Sequence, residues 1–248
     1  MKLYLTSSPT GSYRSIEPED FKGFNPANNM TEYLKEDWRD DSRCLIIAAD
    51  PNSHLGNNEM RFYFEKVLRE TGLSISGLDL CDGRNGEEMV KRLYEYDMII
   101  LGGGHVPTQN TFFWKIGLPE KIREFDGIVM GVSAGSMNCA EMVYAQPELP
   151  GESISRAYPR YLKGLSLTRC NVLPHYQAVK NDMLDGRRLM EDITYPDSMG
   201  HRFYAIPDGS YILQREGEPV IHGEAYLIAE GGIRQISKEG GTFQIREG

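Results

Sequence analysis

The chain has 248 residues, 40% of them hydrophobic, which suffices for one substantial core. Its formal charge of −9 argues against the basic patch that nucleic-acid binding requires, so no nucleic-acid partner is expected. Residues 1–9 lack the apolar region of a signal peptide and no run reaches membrane-spanning length, so a cytoplasmic protein with no membrane association is expected.

Taken in chain order, short apolar runs at 2–7, 43–49, 74–80, 97–102, 127–132 and 167–173 read as strands. Helical spacing fills the gaps. Residues 57–70 carry Met60, Phe64, Val67 and Leu68 at helical intervals, and 87–96 carry Val90, Leu93 and Tyr94. A helix over 110–125 is expected to break near Gly117-Leu118-Pro119. Residues 10–41, 146–163 and 195–202 read as long loops, which in a compact domain tend to be functional. Beyond residue 200 the brief alternating runs 203–206, 210–214, 220–221, 225–228 and 234–236 read as antiparallel hairpins or sheet-edge strands. The fold class is therefore α/β: a mostly parallel central sheet flanked by helices, with antiparallel hairpin strands at the C-terminus, as one domain over 1–248. Those hairpins either finish the sheet edge or pair across a dimer, so a monomer or homodimer is expected. Cys44, Cys81, Cys139 and Cys170 have no C-x-x-C spacing, which suits neither a disulfide framework nor a zinc site. No metal and no cofactor are expected.

The most informative segment is Gly131-Val132-Ser133-Ala134-Gly135, directly after an apolar strand and before helix-forming residues. This G-x-S-x-G spacing is that of a nucleophile elbow, in which the serine sits on a strained strand-to-helix turn and the glycines prevent crowding. Such a turn exposes the Ser133 hydroxyl and aims the Ala134 N–H at an oxyanion formed there. The segment Leu101-Gly102-Gly103-Gly104-His105 places unobstructed N–H groups after another strand and could supply the second donor. It lacks the G-x-G-x-x-G and Lys-Ser/Thr features of a phosphate cradle.

A serine hydroxyl needs an adjacent base, and the base needs an orienting carboxylate. His175 follows the run ending Val172-Leu173-Pro174 and is the favoured base, since ligand-facing residues of open α/β sheets lie at strand carboxyl ends. His54 and His105 also follow strands and compete with it; His201 and His222 look like surface or packing residues. Glu141, Glu148 and Glu152 are the carboxylates that follow the elbow. Glu148, in the loop Gln146-Pro147-Glu148, is best placed to turn back towards the edge and gives the order Ser…Glu…His used by some serine hydrolases.

The N-terminal Leu3-Tyr4-Leu5-Thr6-Ser7-Ser8, the Gly102–Gly104 loop, the elbow GVSAGSMN and the pair Pro174-His175 together resemble the peptidase E family of aspartyl dipeptidases, related to cyanophycinase. The resemblance follows motif order over residues 1–230. It implies a class I glutamine amidotransferase-like, flavodoxin-like fold, with Ser133 as nucleophile and His175 as base. It also places the acidic member about fifteen residues after the serine, at Glu148, where aspartyl dipeptidases usually carry Asp. The oxyanion donors would be the N–H groups of Ala134, Gly103 and Gly104. The implied activity is that of a serine peptidase cleaving short peptides through an acyl-enzyme. Alternatives on the same elbow are an isoaspartyl or cyanophycin-type hydrolase and a non-catalytic member that binds a small metabolite. In the aspartyl dipeptidases Asn and Thr directly follow the glycines, whereas here His105-Val106-Pro107-Thr108-Gln109 precedes Asn110-Thr111. His105, Gln109 and Asn110 are therefore expected to reshape the substrate pocket. Arg187, beside Arg188, lies in the region that gives the family its acidic-side-chain preference.

Overall fold

Alternation of apolar side chains between two covered faces explains the centre of the fold. The computed structural model describes residues 1–11 and 22–246. Strands β1 (Lys2–Thr6), β2 (Ser42–Ile47), β3 (Ile75–Cys81), β4 (Met98–Leu101) and β5 (Ile128–Val132) are parallel and lie side by side in the order β1-β5-β4-β2-β3. Successive strand residues point to opposite faces, so runs buried on both sides are apolar throughout. Cys44, Ile46, Met98, Ile100 and Met130 pack towards α1 (Met30–Asp37) and α2 (His54–Glu70), against Leu34, Phe64, Val67 and Leu68. Their neighbours Leu45, Ile47, Ile99, Leu101 and Val129 pack on the other face, against α3 (Gly86–Val90) and α4 (Val106–Lys115), through Met89, Val90, Phe112 and Phe113. Each such large side chain withdrawn from water contributes roughly 1.5–3 kcal/mol.

The helix expected to break near residue 117 does so: Gly117, at φ 71°, separates α4 from α5 (Leu118–Lys121). The loop expected over 10–41 contains α1, whose Met30 and Leu34 are one turn apart and both buried. Residues 12–21 of that expected loop lie outside the described residues.

After β5 come α6 (Ala134–Asn138), the antiparallel pair β6 (Met142–Tyr144) and β7 (Tyr161–Lys163), and then β8 (Asn171–Leu173). The helix α7 (Tyr176–Val179), the short hairpin β9 (Met183–Leu184) and β10 (Arg187–Arg188), a π-helical turn over Leu189–Thr194 and α8 (Tyr195–Asp197) follow. The C-terminal strands are β11 (Arg202–Ala205), β12 (Tyr211–Gln214), β13 (Val220–His222), β14 (Ala225–Ala229), β15 (Gly232–Ser237) and β16 (Thr242–Gln244). β12, β13 and β16 extend the central sheet antiparallel beyond β1. The others form a second sheet, β15-β14-β11-β8, antiparallel except for the parallel pair β8–β11.

The run 167–173 is thus not a sixth strand of the central sheet. Leu167 and Cys170 are buried, but the Leu167 N–H bonds to the Cys139 carbonyl just beyond α6. Apolar content there serves packing, and only its last three residues pair as strand. Among the described residues, no helix is long and apolar enough to cross a membrane.

Candidate active site

The loops after β1, β4 and β5 leave the sheet at its carboxyl edge, where open α/β sheets bind ligands. Ser133 turns the chain from β5 into α6 at φ 50° and ψ −112°, a conformation that L-residues rarely adopt. Its surroundings determine that turn. The Ser133 N–H donates to the carbonyls of Thr6 and Ser7 at 3.0 and 3.1 Å, and the Thr6 hydroxyl donates to the Gly131 carbonyl at 2.6 Å. A Cβ on Gly131 would lie 2.5 Å from Ser136 Cα, and one on Gly135 would lie 2.1 Å from the Leu101 carbonyl oxygen. Both elbow glycines are therefore required by close backbone approach.

His175 follows β8 through Pro174 and takes a left-handed conformation at φ 56°. Its Nε2 lies 3.0 Å from Ser133 Oγ. On the other side of the ring, Nδ1 lies 2.8 Å from Asp208 Oδ1. An ionised carboxylate only accepts, so Nδ1 carries the proton and Nε2 is left free to receive one from the serine. Burial works against the charge on Asp208. Hydrogen bonds from His175 and Ser7 outweigh it and hold the carboxyl below the usual carboxylate range. Ser7, buried at the end of β1, donates its hydroxyl to Asp208 at 2.5 Å and accepts the His175 backbone N–H at 2.8 Å.

The carboxylate expected at Glu148 is corrected by this geometry. Glu148 lines the same cleft but makes no hydrogen bond to the imidazole; Asp208 occupies that position. The chain order becomes Ser…His…Asp. The cause is strand pairing: β8 and β11 run parallel in the register Ala205↔Leu173, and the Ile206 N–H bonds to the Leu173 carbonyl at 2.9 Å. Pro174-His175 and Pro207-Asp208 therefore leave adjacent strands side by side. The signal was present as a repeated pattern, an apolar run followed by proline and one polar residue. Glu141 is exposed and reaches towards Arg169, while Glu152 bonds to His105 at 2.9 Å and to the N–H groups of Glu148 and Leu149.

Gly103 and Gly104 are exposed beside the serine, and a Cβ on Gly103 would meet Ser133 Cβ at 3.5 Å. Among the described residues neither N–H donates to a protein acceptor. All four of the expected pocket residues are corrected. Gln109 is fully buried and donates to the Gly102 carbonyl, supporting the glycine loop from beneath. Asn110 donates to Asn138 and to the Lys163 carbonyl, away from the cleft. Arg187 is exposed on the outer hairpin, where its charge bears on Asp185 and Asp192. His105 does not line the cleft either; its ring is held between Thr108 and Glu152. Gln109 and Asn110 of α4 face inward because that side of the helix packs on α6, where both bond to Asn138, which periodicity alone does not reveal.

The cleft has a volume of about 170 Å³, with Ser133 and His175 in its wall and Met137, Pro147, Val179, Leu184 and Leu189 around them. A larger hollow of about 400 Å³, between Arg39, Tyr94 and Lys121, has no serine, cysteine or histidine in its lining among the described residues. The four cysteines are buried, and burial pushes the thiol of Cys139, just beyond α6, far up, so that it is no thiolate nucleophile.

Residues 56–221 match the profile of Peptidase family S51. Among solved structures, the chain is similar to a candidate peptidase E protein from Listeria monocytogenes EGD-e, at 17% identity and a TM-score of 0.56. That match covers 95% of this chain and 98% of the other, and it shows a shared fold. No curated protein matches the sequence. With two thirds of its length matched to the profile, the chain belongs to peptidase family S51, in agreement with its resemblance to peptidase E.

Proposed function

From membership of a peptidase family as the premise, we propose that the protein is a serine peptidase of short peptides, with Ser133 as nucleophile, His175 as base and Asp208 as the carboxylate that orients it. The observation that carries this reading is the continuous chain Ser133 Oγ–His175 Nε2 at 3.0 Å and His175 Nδ1–Asp208 Oδ1 at 2.8 Å. Ser133 Oγ attacks the peptide carbonyl while Nε2 takes its proton. The tetrahedral oxyanion is received by the N–H groups of Ala134 and of Gly103 or Gly104, one such donor being worth roughly 2.7–4 kcal/mol in the transition state. Collapse of the adduct breaks the C–N bond, and Nε2–H protonates the departing amine. Water then attacks the acyl-enzyme with His175 again as base, releasing the acid and restoring the serine. Asp208 keeps Nδ1 protonated and stabilises the imidazolium formed in each half-reaction.

A cleft of about 170 Å³ favours peptides of a few residues over folded proteins. Substituting Ser133→Ala is expected to lower turnover of any cleaved dipeptide by roughly 10⁶-fold. A fluorophosphonate is expected to label wild-type Ser133 and not the variant. An unlabelled wild-type serine would instead support a member that only binds a metabolite, because an unactivated hydroxyl reacts poorly.

A further inference from the structure

The charge of the cleft points away from the acidic side chains that the aspartyl dipeptidases take. Among the described residues, no lysine or arginine lines it, whereas two carboxylates do, Glu148 and Asp182. Neighbouring carboxylates are engaged elsewhere. Glu152 holds His105 and two backbone N–H groups, and Asp185 accepts from the N–H groups of Gly151 and Ser153 and from the Ser153 hydroxyl. Among the described residues, the side chains of Glu148 and Asp182 make no hydrogen bond and no ion pair. Glu148 is also held above the usual carboxylate range, first by loss of solvent and then by the charge of Glu152, against the opposing pull of His105 and His175. An arriving cation would relieve that tension, and a second anion would add to it.

We propose that the cleft selects peptides carrying a cationic group close to the scissile carbonyl, with Glu148 and Asp182 as its specificity-determining residues. The inference rests on the serine-peptidase reading, since Ser133 fixes where the carbonyl lies. Pro174, Val179, Leu184 and Leu189 give the cleft an apolar lining beside the two exposed carboxylates, which leaves those carboxylates as its charged groups for a cation to pair with. The cation has two sources with the same chemistry, a free peptide amino terminus or the side chain of a basic first residue.

The test is a set of dipeptides with Arg, Lys, citrulline, Ala or Asp as first residue, each with a free or acetylated amino terminus. They are assayed with the wild-type chain and with Glu148→Gln and Asp182→Asn, while fluorophosphonate labelling of Ser133 is followed in all three. Cationic substrates are expected to exceed their neutral counterparts at least tenfold in kcat/KM, and the ratio is expected to fall towards one in Glu148→Gln, Asp182→Asn or both. If acetylation removes the preference whatever the first residue, the amino terminus is the source. If Arg and Lys still exceed citrulline after acetylation, the side chain is. Preferred cleavage of the Asp peptides, an unchanged ratio in both variants, or no cleavage with Ser133 still labelled would overturn the charge inference alone. Loss of wild-type labelling would overturn the serine-peptidase reading and this inference with it.

Discussion

The carboxyl edge of the parallel sheet and the rim of the second sheet furnish the cleft by different routes. At the first, Ser133 and the N–H groups proposed as its oxyanion donors come from one pentapeptide and a glycine loop, each following its own strand, and backbone contacts hold the turn. At the second, His175 and Asp208 are 33 residues apart and meet only because β8 and β11 pair in parallel. A local motif can encode the first arrangement. The second exists only when two strands have found one register, so small changes there should misplace the imidazole while leaving the elbow intact.

After loss of the nucleophile itself, the largest expected effect separates the two routes. Asp208→Asn keeps the shape but removes the acceptor that fixes the Nδ1 proton, and kcat on the best dipeptide substrate is expected to fall roughly 10⁴-fold. A single-turnover assay showing less than a tenfold loss would break the comparison. On the elbow side the corresponding damage is to folding. Gly135→Ala drives a Cβ into the Leu101 carbonyl and is expected to cost about 3 kcal/mol in urea unfolding. A variant as stable as the wild type would show that the turn is looser than its contacts imply.

Ser7 joins the two regions, being at the end of β1 and bonded to both Asp208 and the His175 backbone. Ser7→Ala removes a hydrogen bond to a charged group, worth about 1.5–3 kcal/mol, so kcat is expected to fall by roughly 10- to 100-fold. The effect should lie in kcat, since Ser7 does not line the cleft.

The smallest effects concern the two carboxylates, whose titrations are shifted in opposite directions. Asp208 has a lowered folded-state value. Its stabilising contribution is complete above the ordinary carboxylate range near pH 4 and is lost only as pH falls through the lowered value. Asp208→Asn is therefore expected to be less stable than the wild type at pH 7, with the deficit shrinking only below about pH 4. Glu148 has a raised value, so its charged form destabilises the fold once pH exceeds that value. Glu148→Gln should gain stability at pH 7, and the gain should vanish by about pH 4, where both states bind the proton. Unfolding curves at the two pH values check both signs.

The parallel sheet, the helix break near residue 117 and the antiparallel C-terminus were legible in the sequence. Apolar runs buried on both faces, and the special backbone demanded at Gly117, are local properties that composition and spacing record. The helix within 10–41 and the strand run shortened to Asn171–Leu173 were not, because tertiary packing decided how those apolar residues were used.

At the site, the sequence by itself determined the elbow and the histidine after the strand, since a strained turn and a strand terminus leave marks within a few residues. The tertiary structure alone decided that Asp208 rather than Glu148 meets the imidazole, that Gln109 and Asn110 support the glycine loop and α6 from within, and that Arg187 stands outside the cleft. Carboxylates are interchangeable in sequence; which one approaches a ring within 2.8 Å depends on strand register, a relation between residues far apart in the chain.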